Sequence, residues 1–578
     1  MSTTIDGKAA PVAFAPKDAQ QVTFLQDVAI FSETDRFKRL DRRHAFFKAR
    51  EYDHQEVDWD DRRADDMETI STDAVYPPGT GPAQPGEPKT AREKRPTAPT
   101  RRARVTVERF TNLMFSDKRR PTVVVDEDQD TEAFLDAVRS KAKFWSKMRS
   151  ARNLGGACGS VLMTVHLKEG KWSYEVTNSK FCTVLWKDQR ALTIAGVLIM
   201  YRTPRQVNVK DDKGKIVGTQ VVDFVCRRII TENDEIVYKE MPLEQILRDP
   251  AESWQIDGDL AMNHGLGSFP GVWIQNTAES ESEDGDSDCE GSYQAIDTND
   301  RLIAQMFYGT LANCDPTVVT ATDPKAVQQA NAMGAPLQKG SDHAIEVGVG
   351  GSAKYMEMEG GGVAVGLQLS EKLEAQIDII NGLVVPDDAT MASAQSGEAL
   401  ELRFAPMLAK AADFRDQYGE GIVELMNITA AIARKFQGAS MRLPPDPRTG
   451  QERIGKYQFD LPPRKVTDAS GKVRSVPHTV GPGGYITLDW GPFFAPTEQD
   501  KSTIIKNAAS AVAAKFVTTE TAAGKVGPLY GVKDIQGEVA QARKQGDADA
   551  EAAFAASMSP ARAERELAEG KTNDQMFG

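Results

Sequence analysis

The sequence predicts an α+β protein in which amphipathic helices flank a mainly antiparallel sheet. Three observations support this. Apolar residues recur at helical spacing between residues 131 and 152, short segments between residues 160 and 230 alternate apolar and polar side chains, and about forty residues from Ser396 onward show one continuous apolar stripe. A chain of 578 residues is too long for one ordinary domain and suggests roughly three or four folding units.

The N-terminal residues 1–103 are predicted to form an arm or linker that is partly flexible. Residues 51–68 carry nine acidic and two basic side chains, residues 75–100 are rich in proline and glycine, and residues 89–104 hold seven basic side chains and one acidic. The basic run could contact DNA or the acidic stretch of a neighbouring molecule. A solvated linker is the better interpretation, because charge runs are usually exposed.

Residues 104–291 are predicted to combine helices with antiparallel strands. The helical patterns cover residues 105–115 and 131–152, and a Gly155-Gly156-Ala157 break follows. The alternating segments beyond this break are SVLMTVHL, WSYEVTN, KFCTVLW, TIAGVLIMY, QVNV and VVDFVCRRII. Turn residues such as Lys168-Glu169-Gly170-Lys171 separate them, which indicates hairpin connections.

An acidic segment, residues 279–290, contains seven carboxylates and no basic side chain. So much charge of one sign predicts a flexible surface loop rather than a packed segment. Asp284, Asp286 and Asp288 alternate as in part of a calcium loop, but the later glycine and the closing glutamate are not at the EF-hand spacing. We therefore expect no metal here.

Two further helical patterns flank a small irregular insertion. Residues 292–313 form the first, with Ser292 placed to cap it, and residues 360–384 form the second. The intervening residues 314–359 contain several prolines and glycines. This order predicts an antiparallel helix pair that carries a small module at its tip.

A polar loop and a long helix follow the helix pair. Residues 385–397 are predicted to form the loop and residues 398–438 the helix. About forty helical residues at ~1.5 Å each span roughly 60 Å, more than the core of one compact domain needs. Because proline removes a backbone donor and glycine weakens a helix, we expect kinks at Pro406 and at Gly419 and Gly421.

Strands and then helices are predicted to close the chain. Residues 439–496 show sheet-like patterning that ends in YITLDWGPFFAP, and residues 497–578 are predicted to be helical with a flexible tail. Thr497 and Asp500 have the spacing of a capping box, which marks the start of this helical part.

Neither charge nor motifs point to an enzyme. The net charge of −14 argues against a protein that grips nucleic acid through clustered cations, although it suits a surface past which DNA slides. The motif G-x-x-x-x-G-K-[ST] does not occur, and the five cysteines and six histidines show no metal-ligand spacing. No run approaches the ~20 apolar residues of a membrane span. We expect no catalytic residue, cofactor, metal or membrane association.

Several short stretches occur in an informative order. They are Phe269-Pro-Gly-Val-Trp-Ile-Gln-Asn276, Tyr293-Gln-Ala-Ile-Asp297, Ser396-Gly-Glu-Ala-Leu400, Leu488-Asp-Trp-Gly491, Pro496-Thr-Glu-Gln499 and Phe516-Val-Thr-Thr-Glu520. Together with the order of helices and strands, they resemble the tailed-bacteriophage portal protein family, the head-to-tail connectors. The resemblance extends over roughly residues 104–544, and the order of the stretches carries it rather than any single motif.

The resemblance implies a portal-like fold and a structural role in the virion. Its parts would be a wing (residues 104–291), a two-helix stem (292–313 and 360–384), a clip (314–359), a tunnel loop (385–397), a long kinked helix (398–438), wing return strands (439–496) and a crown (497–578). Such a chain would assemble in the host bacterial cytoplasm as a homo-oligomeric ring, typically a dodecamer, at one capsid vertex. It would serve DNA packaging and genome ejection.

The resemblance also implies partners and site residues. Double-stranded DNA would pass through the ring, and the large terminase, the major capsid protein and the connector or tail proteins would bind it. The DNA-channel residues would be Pro386, Asp387, Asp388, Ala389, Thr390, Met391, Ala392, Ser393, Ala394, Gln395 and Ser396. The clip candidates for terminase or connector contact are Lys325, Lys339, His343 and Lys354. A tunnel loop of small polar side chains offers DNA no aromatic stacking surface and no cation cluster.

Two other classes of protein remain open from the sequence. A DNA-processing enzyme such as a nuclease or terminase should show a nucleotide or metal motif, and Asp387-Asp388 is only a weak candidate for a metal site. A capsid adaptor without a channel would be shorter and would not need a helix pair, an insertion and a long helix in this order. We therefore favour the portal interpretation.

Overall fold

The structure is a computed structural model, and it describes part of the chain. The described residues are 16–28, 34–50, 52, 99–117, 119–168, 170–189, 192–210, 216–248, 254–258, 260–279, 282–314, 317–321, 352–356, 361–385, 401–443, 453–456, 458–467, 473–494, 498–530, 532 and 537–545. The chain divides into two compact units, one of residues 1–385 with 406–491 and one of residues 386–405 with 492–578.

The helices alternate with strands along the chain. They are α1 (Ala19–Val28), α2 (Asp35–Lys48), α3 (Arg102–Phe115), α4 (Gln129–Lys141), α5 (Phe144–Cys158), α6 (Leu243–Arg248), α7 (Tyr293–Cys314), α8 (Gly361–Asn381), α9 (Ala405–Phe436), α10 (Glu498–Ala513) and α11 (Thr519–Val526). Among the described residues, no helix is both long and apolar enough to cross a membrane.

The strands pair antiparallel throughout the part that the structure describes. They are β1 (Thr122–Val125), β2 (Ser160–Lys168), β3 (Lys171–Asn178), β4 (Cys182–Asp188), β5 (Thr193–Lys210), β6 (Ile216–Thr231), β7 (Asp234–Val237), β8 (Met241–Pro242), β9 (Met262–Asn263), β10 (Gly271–Gln275), β11 (Thr317–Ala321), β12 (Ser352–Met356), β13 (Ser440–Leu443), β14 (Arg453–Lys456), β15 (Arg464–Thr467), β16 (Val473–Val476) and β17 (Ile486–Asp489). One sheet has the order β10-β2-β3, and another has the order β4-β5-β6-β7-β9 with β8 beside β6.

The mixed helix and sheet content is compatible with the α+β class, and the antiparallel pairing agrees with the alternating sequence pattern. The hairpin of β2 and β3 pairs Lys168 with Lys171, and Gly170 takes a φ of 81°, the left-handed region that glycine adopts at little cost. The segments TIAGVLIMY and QVNV form the single strand β5 rather than two strands, because Thr203 and Pro204 between them continue the ladder with β6.

The helical pattern over residues 131–152 belongs to two helices instead of one. α4 ends at Lys141, Lys143 adopts the left-handed conformation at φ 52°, and α5 starts at Phe144. The predicted break at Gly155-Gly156-Ala157 is also wrong, because α5 continues through these residues to Cys158. It ends at Gly159, whose φ of 99° favours glycine.

The long helix begins later than the sequence suggested. Residues 401–403 are helical, Phe404 interrupts them, and α9 starts at Ala405. Pro406 therefore lies in the first turn, where its missing N–H costs no hydrogen bond, and it does not interrupt a helix interior. The helix runs without interruption through Gly419 and Gly421, and a bend at these two positions stays a prediction.

Helices follow in the second unit. α10 and α11 lie in the predicted crown, and residues 537–545 are helical as well. The Thr518 hydroxyl caps α11 by accepting from the Thr521 N–H at 3.2 Å. The predicted capping residue Thr497 lies outside the described residues.

A cluster of four titratable or charged side chains joins the two larger sheets. Arg228 on β6 donates to Glu175 on β3 at 2.6 Å and contacts Glu235 on β7 at 2.7 Å. His166 on β2 lies between the same carboxylates, with its Nε2 3.3 Å from Glu175 and its Nδ1 3.6 Å from Glu235. Burial disfavours the charged imidazole, but hydrogen bonds to the two carboxylates outweigh burial and raise the pKa of His166.

The raised pKa of His166 predicts a loss of stability at alkaline pH. Protonation of His166 stabilises the fold fully below the unfolded pKa, and this stabilisation is lost as pH rises through the folded pKa. We expect the urea midpoint of the protein to fall as pH rises above neutrality, and His166→Gln to remove much of this dependence. Tryptophan fluorescence in urea at a series of pH values measures it. His478→Gln is the matched control, because the pKa of His478 is lowered by partial burial. A pH profile unchanged in H166Q would contradict the assignment.

Candidate functional site

The two helices that flank the insertion form an antiparallel pair. The Ser370 hydroxyl of α8 donates to the Asn299 side chain of α7 at 2.8 Å, in a buried position. Farther along, Gly366 lies beside Met306, and a side chain on this glycine would collide with the Met306 sulfur. The two helices therefore run in opposite directions. Observed bounds of Tyr293–Cys314 and Gly361–Asn381 lie within three residues of the predicted ones.

The end of α8 is closed by a turn motif, shortly before the predicted tunnel loop. Gly382 adopts φ 66°, and the Leu383 N–H donates to the Asp378 carbonyl at 2.8 Å while the Gly382 N–H donates to the Ile379 carbonyl at 3.0 Å. This arrangement is a Schellman motif, which closes a helix and turns the chain away from its axis. Leu383 is buried, so the exit is also anchored by packing.

Lys410 on α9 connects the end of α8 to the segment that precedes α7. Its ammonium donates to the Asn381 carbonyl at 3.0 Å and to the Asp288 carbonyl at 3.1 Å. The cation also lies 5.3 Å from the ring centre of Phe110. Burial lowers the pKa of Lys410, and Asp288 opposes that effect. A cation at the last carbonyls of a helix is favourably placed against the helix dipole.

A buried ion pair lies next to Lys410. Arg152 on α5 binds Asp288 with both guanidinium arms, Nη1 to Oδ2 and Nη2 to Oδ1, each at 3.0 Å, and neither side chain is exposed. The guanidinium carbon lies 4.1 Å from the ring centre of Phe414 on α9. A two-pronged Arg–carboxylate contact is geometrically specific, so it fixes the position of Asp288 relative to both helices.

Polar side chains complete the surroundings of this pair. The Asn276 amide donates to Asp288 Oδ1 at 2.9 Å, and the Tyr418 hydroxyl donates to the Asn276 oxygen at 3.2 Å. We call Arg152, Asn276, Asp288, Lys410 and Tyr418 the stem-base cluster. Its members come from α5, from the residue that follows β10, from the acidic segment and from α9. The acidic segment ends just before α7 begins.

The glycines at the end of α5 make room for the stem-base cluster. A side chain at Gly156 would collide with Arg152 and Asp288, and one at Gly155 would collide with the Tyr418 hydroxyl. Gly421 on α9 likewise faces Ile274 of β10 with no space for a Cβ. These glycines therefore allow close approach between elements, which is a different role from the helix break predicted at residues 155–157.

The acidic segment is not the flexible surface loop that its charge suggested. Within its described part, residues 282–290, Asp284 and Asp288 are buried. Arg36 on α2 binds Asp284 through Nε at 2.6 Å and Nη2 at 2.9 Å, and Ser160 also donates to Asp284. The prediction failed because it weighed only neighbouring charges, whereas the neutralising arginines come from distant parts of the chain.

The helix α2 supplies most of these cations. Arg43, itself almost fully buried, contacts Glu290 at 2.8 Å, while Leu40, Phe46 and Phe47 of the same helix are buried. The Thr34 hydroxyl caps the helix by accepting from the Phe37 N–H at 3.2 Å. Residues 35–48 thus form a packed helix, unlike the arm or linker predicted for this stretch.

The sequence-predicted site residues lie mostly beyond the described part of the chain. The tunnel-loop residues Pro386–Ser396 and the clip residues Lys325, Lys339 and His343 lie outside it. Lys354 lies on β12, opposite Val319 of β11, in a two-stranded antiparallel sheet. The roles of all these residues stay predictions.

The described residues contain no group of His, Cys, Asp or Glu side chains arranged to hold a metal ion. The alternating Asp284 and Asp288 engage arginines of different helices instead. Burial raises the pKa of the thiols of Cys158, Cys182 and Cys289 to about 12, so these cysteines are protonated and poorly nucleophilic.

Sequence reasoning missed the residues that hold the stem base. Arg152, Lys410 and Arg36 each sit in an ordinary amphipathic pattern, and nothing in their local sequence marks them. A weak signal exists in Gly155-Gly156, because paired glycines near a helix end indicate a close approach. The number of acidic side chains in residues 279–290 also required cations somewhere, without saying where.

The fold and this junction describe a structural protein built around a helix pair and its insertion. Residues 48–444 match the family of phage portal proteins described as SPP1 Gp6-like, so the chain belongs to this family. Members are structural proteins of the phage capsid that act at the head–tail connection and in DNA packaging. A search among curated proteins found no match. The match begins at the last residue of α2 and ends just after β13, so most of α2 and residues 492–578 of the second unit fall outside it.

The buried ion pair predicts unequal effects of two neighbouring substitutions. Asp288→Ala leaves Arg152 charged, buried and unpaired, and we expect a loss of about 3–5 kcal/mol in the free energy of unfolding. Asp286→Ala is the matched control, because the Asp286 side chain is 44% exposed and its contact with Arg43 is long, at 3.9 Å. We expect it to cost less than about 1 kcal/mol. Urea unfolding measures both, and equal losses would show that the buried pair is not the stabilising contact.

Proposed function

We propose that copies of this chain assemble into a ring-shaped channel at one vertex of the capsid. Double-stranded DNA passes through it during packaging and ejection. The large terminase docks on the ring during packaging, and connector or tail proteins replace it afterwards. Membership of the portal family supports this role. A ring of twelve copies is the expected size.

The exposed apolar surface of α8 is the observation that carries the proposal. Val365, Leu367 and Leu369 are 65%, 55% and 48% exposed, and Ile379 is 78% exposed. Residues 361–369 contain no charged side chain. Val365, Leu369 and Ile379 fall on one side of the helix at ~100° per residue, and exposed apolar side chains grouped in this way mark an interaction surface. Side-by-side copies in a ring use two different faces of each subunit and bury such a stripe.

The stem-base cluster gives the tunnel loop a firm starting point. Lys410 contacts the end of α8 at the Asn381 carbonyl and the segment before α7 at the Asp288 carbonyl. The Schellman motif at Gly382 sets the direction in which the chain leaves α8. A tunnel loop held in this way places its own small polar side chains, such as Asp387 and Ser393, beside the DNA. Its acidic and uncharged composition lets a polyanion slide without being trapped.

The remaining partners follow from the other parts of the chain. The insertion between the stem helices is the surface for the terminase and later the connectors, with Lys325, Lys339, His343 and Lys354 as contact candidates. The wing sheets face the major capsid protein. Because the proposed partners exchange, we expect polar contacts at the insertion and apolar contacts between the copies of α8.

Charge on the exposed stripe of α8 should block ring assembly. Val365 and Leu369 are one helical turn apart on one face. In Val365→Asp with Leu369→Asp, we expect most of the protein to remain as single subunits with unchanged circular dichroism, because assembly would bury two unpaired carboxylates. Negative-stain electron microscopy and mass photometry measure the assembly. Gln368→Asp, at an exposed polar position of the same helix, is the control and should still form rings. Normal rings from the double variant would contradict the proposal.

Removal of the tunnel loop should separate assembly from DNA handling. With residues 386–395 deleted, we expect intact rings and a clear loss of packaged or retained DNA, because the loop is the part of the channel nearest the DNA. Ring formation is measured by electron microscopy and packaging by nuclease-protected DNA in filled heads. A Gly-Ser replacement of equal length tests loop chemistry separately from loop length. If the deletion abolishes folding, residues 386–395 belong to the structural core and not to the channel surface.

A further inference from the structure

A cationic cavity lies at the junction of α4 and α5. Its volume is about 330 Å³, and three cationic side chains, Arg120, Arg139 and Lys143, line it together with a single carboxylate, Asp136. Such a local excess of positive charge stands out in a chain whose net charge is −14. A volume of this size can hold a small anion with several water molecules.

The start of α5 opens onto this cavity. Phe144, Trp145 and Ser146, the first residues of α5, line it, and no side chain caps the helix, because Lys143 at the cap position makes no capping bond. In α5 the Ser146 N–H already donates to the Lys143 carbonyl at 3.1 Å. The first two N–H groups of a helix, here those of Phe144 and Trp145, have no intrahelical partner and lie at the positive end of the helix dipole. Together these make a helix start attractive to anions.

Arg139 is the second and independent feature. Its side chain is only 7% exposed, one arm of the guanidinium contacts Asp136, and Nη1 has no hydrogen-bond partner. Burial lowers the pKa of Arg139 to about 10, which reflects the cost of holding this cation away from water. A buried donor left without a partner is costly, so a ligand that accepts from it is favoured.

The nearby carboxylates do not neutralise the cavity. Glu132 accepts a hydrogen bond from the Val125 N–H at 3.1 Å; its charge acts on Arg139, but Glu132 does not line the cavity. Asp117 lies 3.7 Å from Arg120 but is closer, at 3.0 Å, to Arg149. Asp136 is 60% exposed and shares its charge with water. Three cations against one lining carboxylate leave an excess of two positive charges.

We propose that this cavity binds a phosphate group through Arg120, Arg139, Lys143 and the first turn of α5. A phosphate has enough oxygens to accept from several donors at once, and guanidinium groups match its geometry. A single carboxylate would leave more of these donors unpaired. The phosphate could be a free ion or part of the DNA backbone, and the two sources share the same chemistry. This site lies outside the helix pair and the tunnel loop, so it goes beyond the proposed function.

Titration of the full chain with inorganic phosphate in a chloride buffer of constant ionic strength tests the site. Isothermal titration calorimetry measures the free ion, and fluorescence anisotropy of a short labelled duplex measures the backbone phosphate. Arg120→Gln and Lys143→Gln each remove one exposed cation while leaving buried Arg139 intact. Lys147→Gln is the matched control, because Lys147 is an exposed cation on the same helix that does not line the cavity. Circular dichroism verifies that each variant folds.

We expect the protein to bind at least one probe and R120Q and K143Q to weaken that binding about tenfold each, equivalent to about 1.4 kcal/mol, while K147Q changes it little. Binding of inorganic phosphate with this pattern identifies a free-ion site, and binding of duplex alone with this pattern identifies a backbone site. The proposal is overturned if neither probe binds, or if K143Q and K147Q weaken binding equally. Binding of a short poly-glutamate peptide in place of both phosphate probes would also overturn it, because the ligand would then be a carboxylate.

Discussion

The buried pair of Arg152 and Asp288 is the constraint on which the rest of the junction depends. Two charges removed completely from water are tolerated only when the attraction and the surrounding hydrogen bonds offset the cost of dehydration. Both arms of Arg152 are used, and Asn276 satisfies a further lone pair of Asp288. The same requirement explains why Gly156 has no side chain, because a Cβ there would occupy the space of the pair. The sequence of α5 near its end is therefore set by electrostatics as much as by helix formation.

This constraint couples parts of the chain that are far apart in sequence. Arg152 and Asp288 are separated by 136 residues, and Arg36 and Asp284 by 248. Between them they hold the acidic segment at two points just before α7 begins, so these charges position α7 together with the apolar packing of Ile296 against Phe46 and Ile377. Lys410 then connects the same segment to the end of α8. Residues 35–47, which supply Arg36 and Arg43, precede the region matched by the portal family.

The periodicity of apolar residues predicted the elements whose formation depends on neighbouring residues in the sequence. The helix pair and the antiparallel strands follow from apolar periodicity, and their bounds agree to within a few residues except where β5 absorbs two segments. The prediction failed at the acidic segment, because burial there depends on cations supplied from other elements. It also placed the start of the long helix before Ala405, where α9 begins, because sequence alone does not distinguish the first turn of a helix from its interior. No contact of the stem-base cluster was predicted, because most of these contacts join residues far apart in sequence, such as Arg152 with Asp288 and Tyr418 with Asn276.

The distribution of charge reconciles an acidic chain with a DNA-handling role. Part of the negative charge, in residues 282–290, is neutralised internally by arginines and does not contribute freely to the surface. Because screening confines exposed charges to a range of about 10 Å in ordinary buffers, the net value of −14 describes no particular surface. The proposed tunnel loop, with its acidic and small polar residues, and the proposed phosphate site, with its three cations, can therefore coexist in one subunit, because each would act only on phosphates that come close to it. The physical properties that matter for DNA are local, and they are set by which charges the fold pairs and which it leaves exposed.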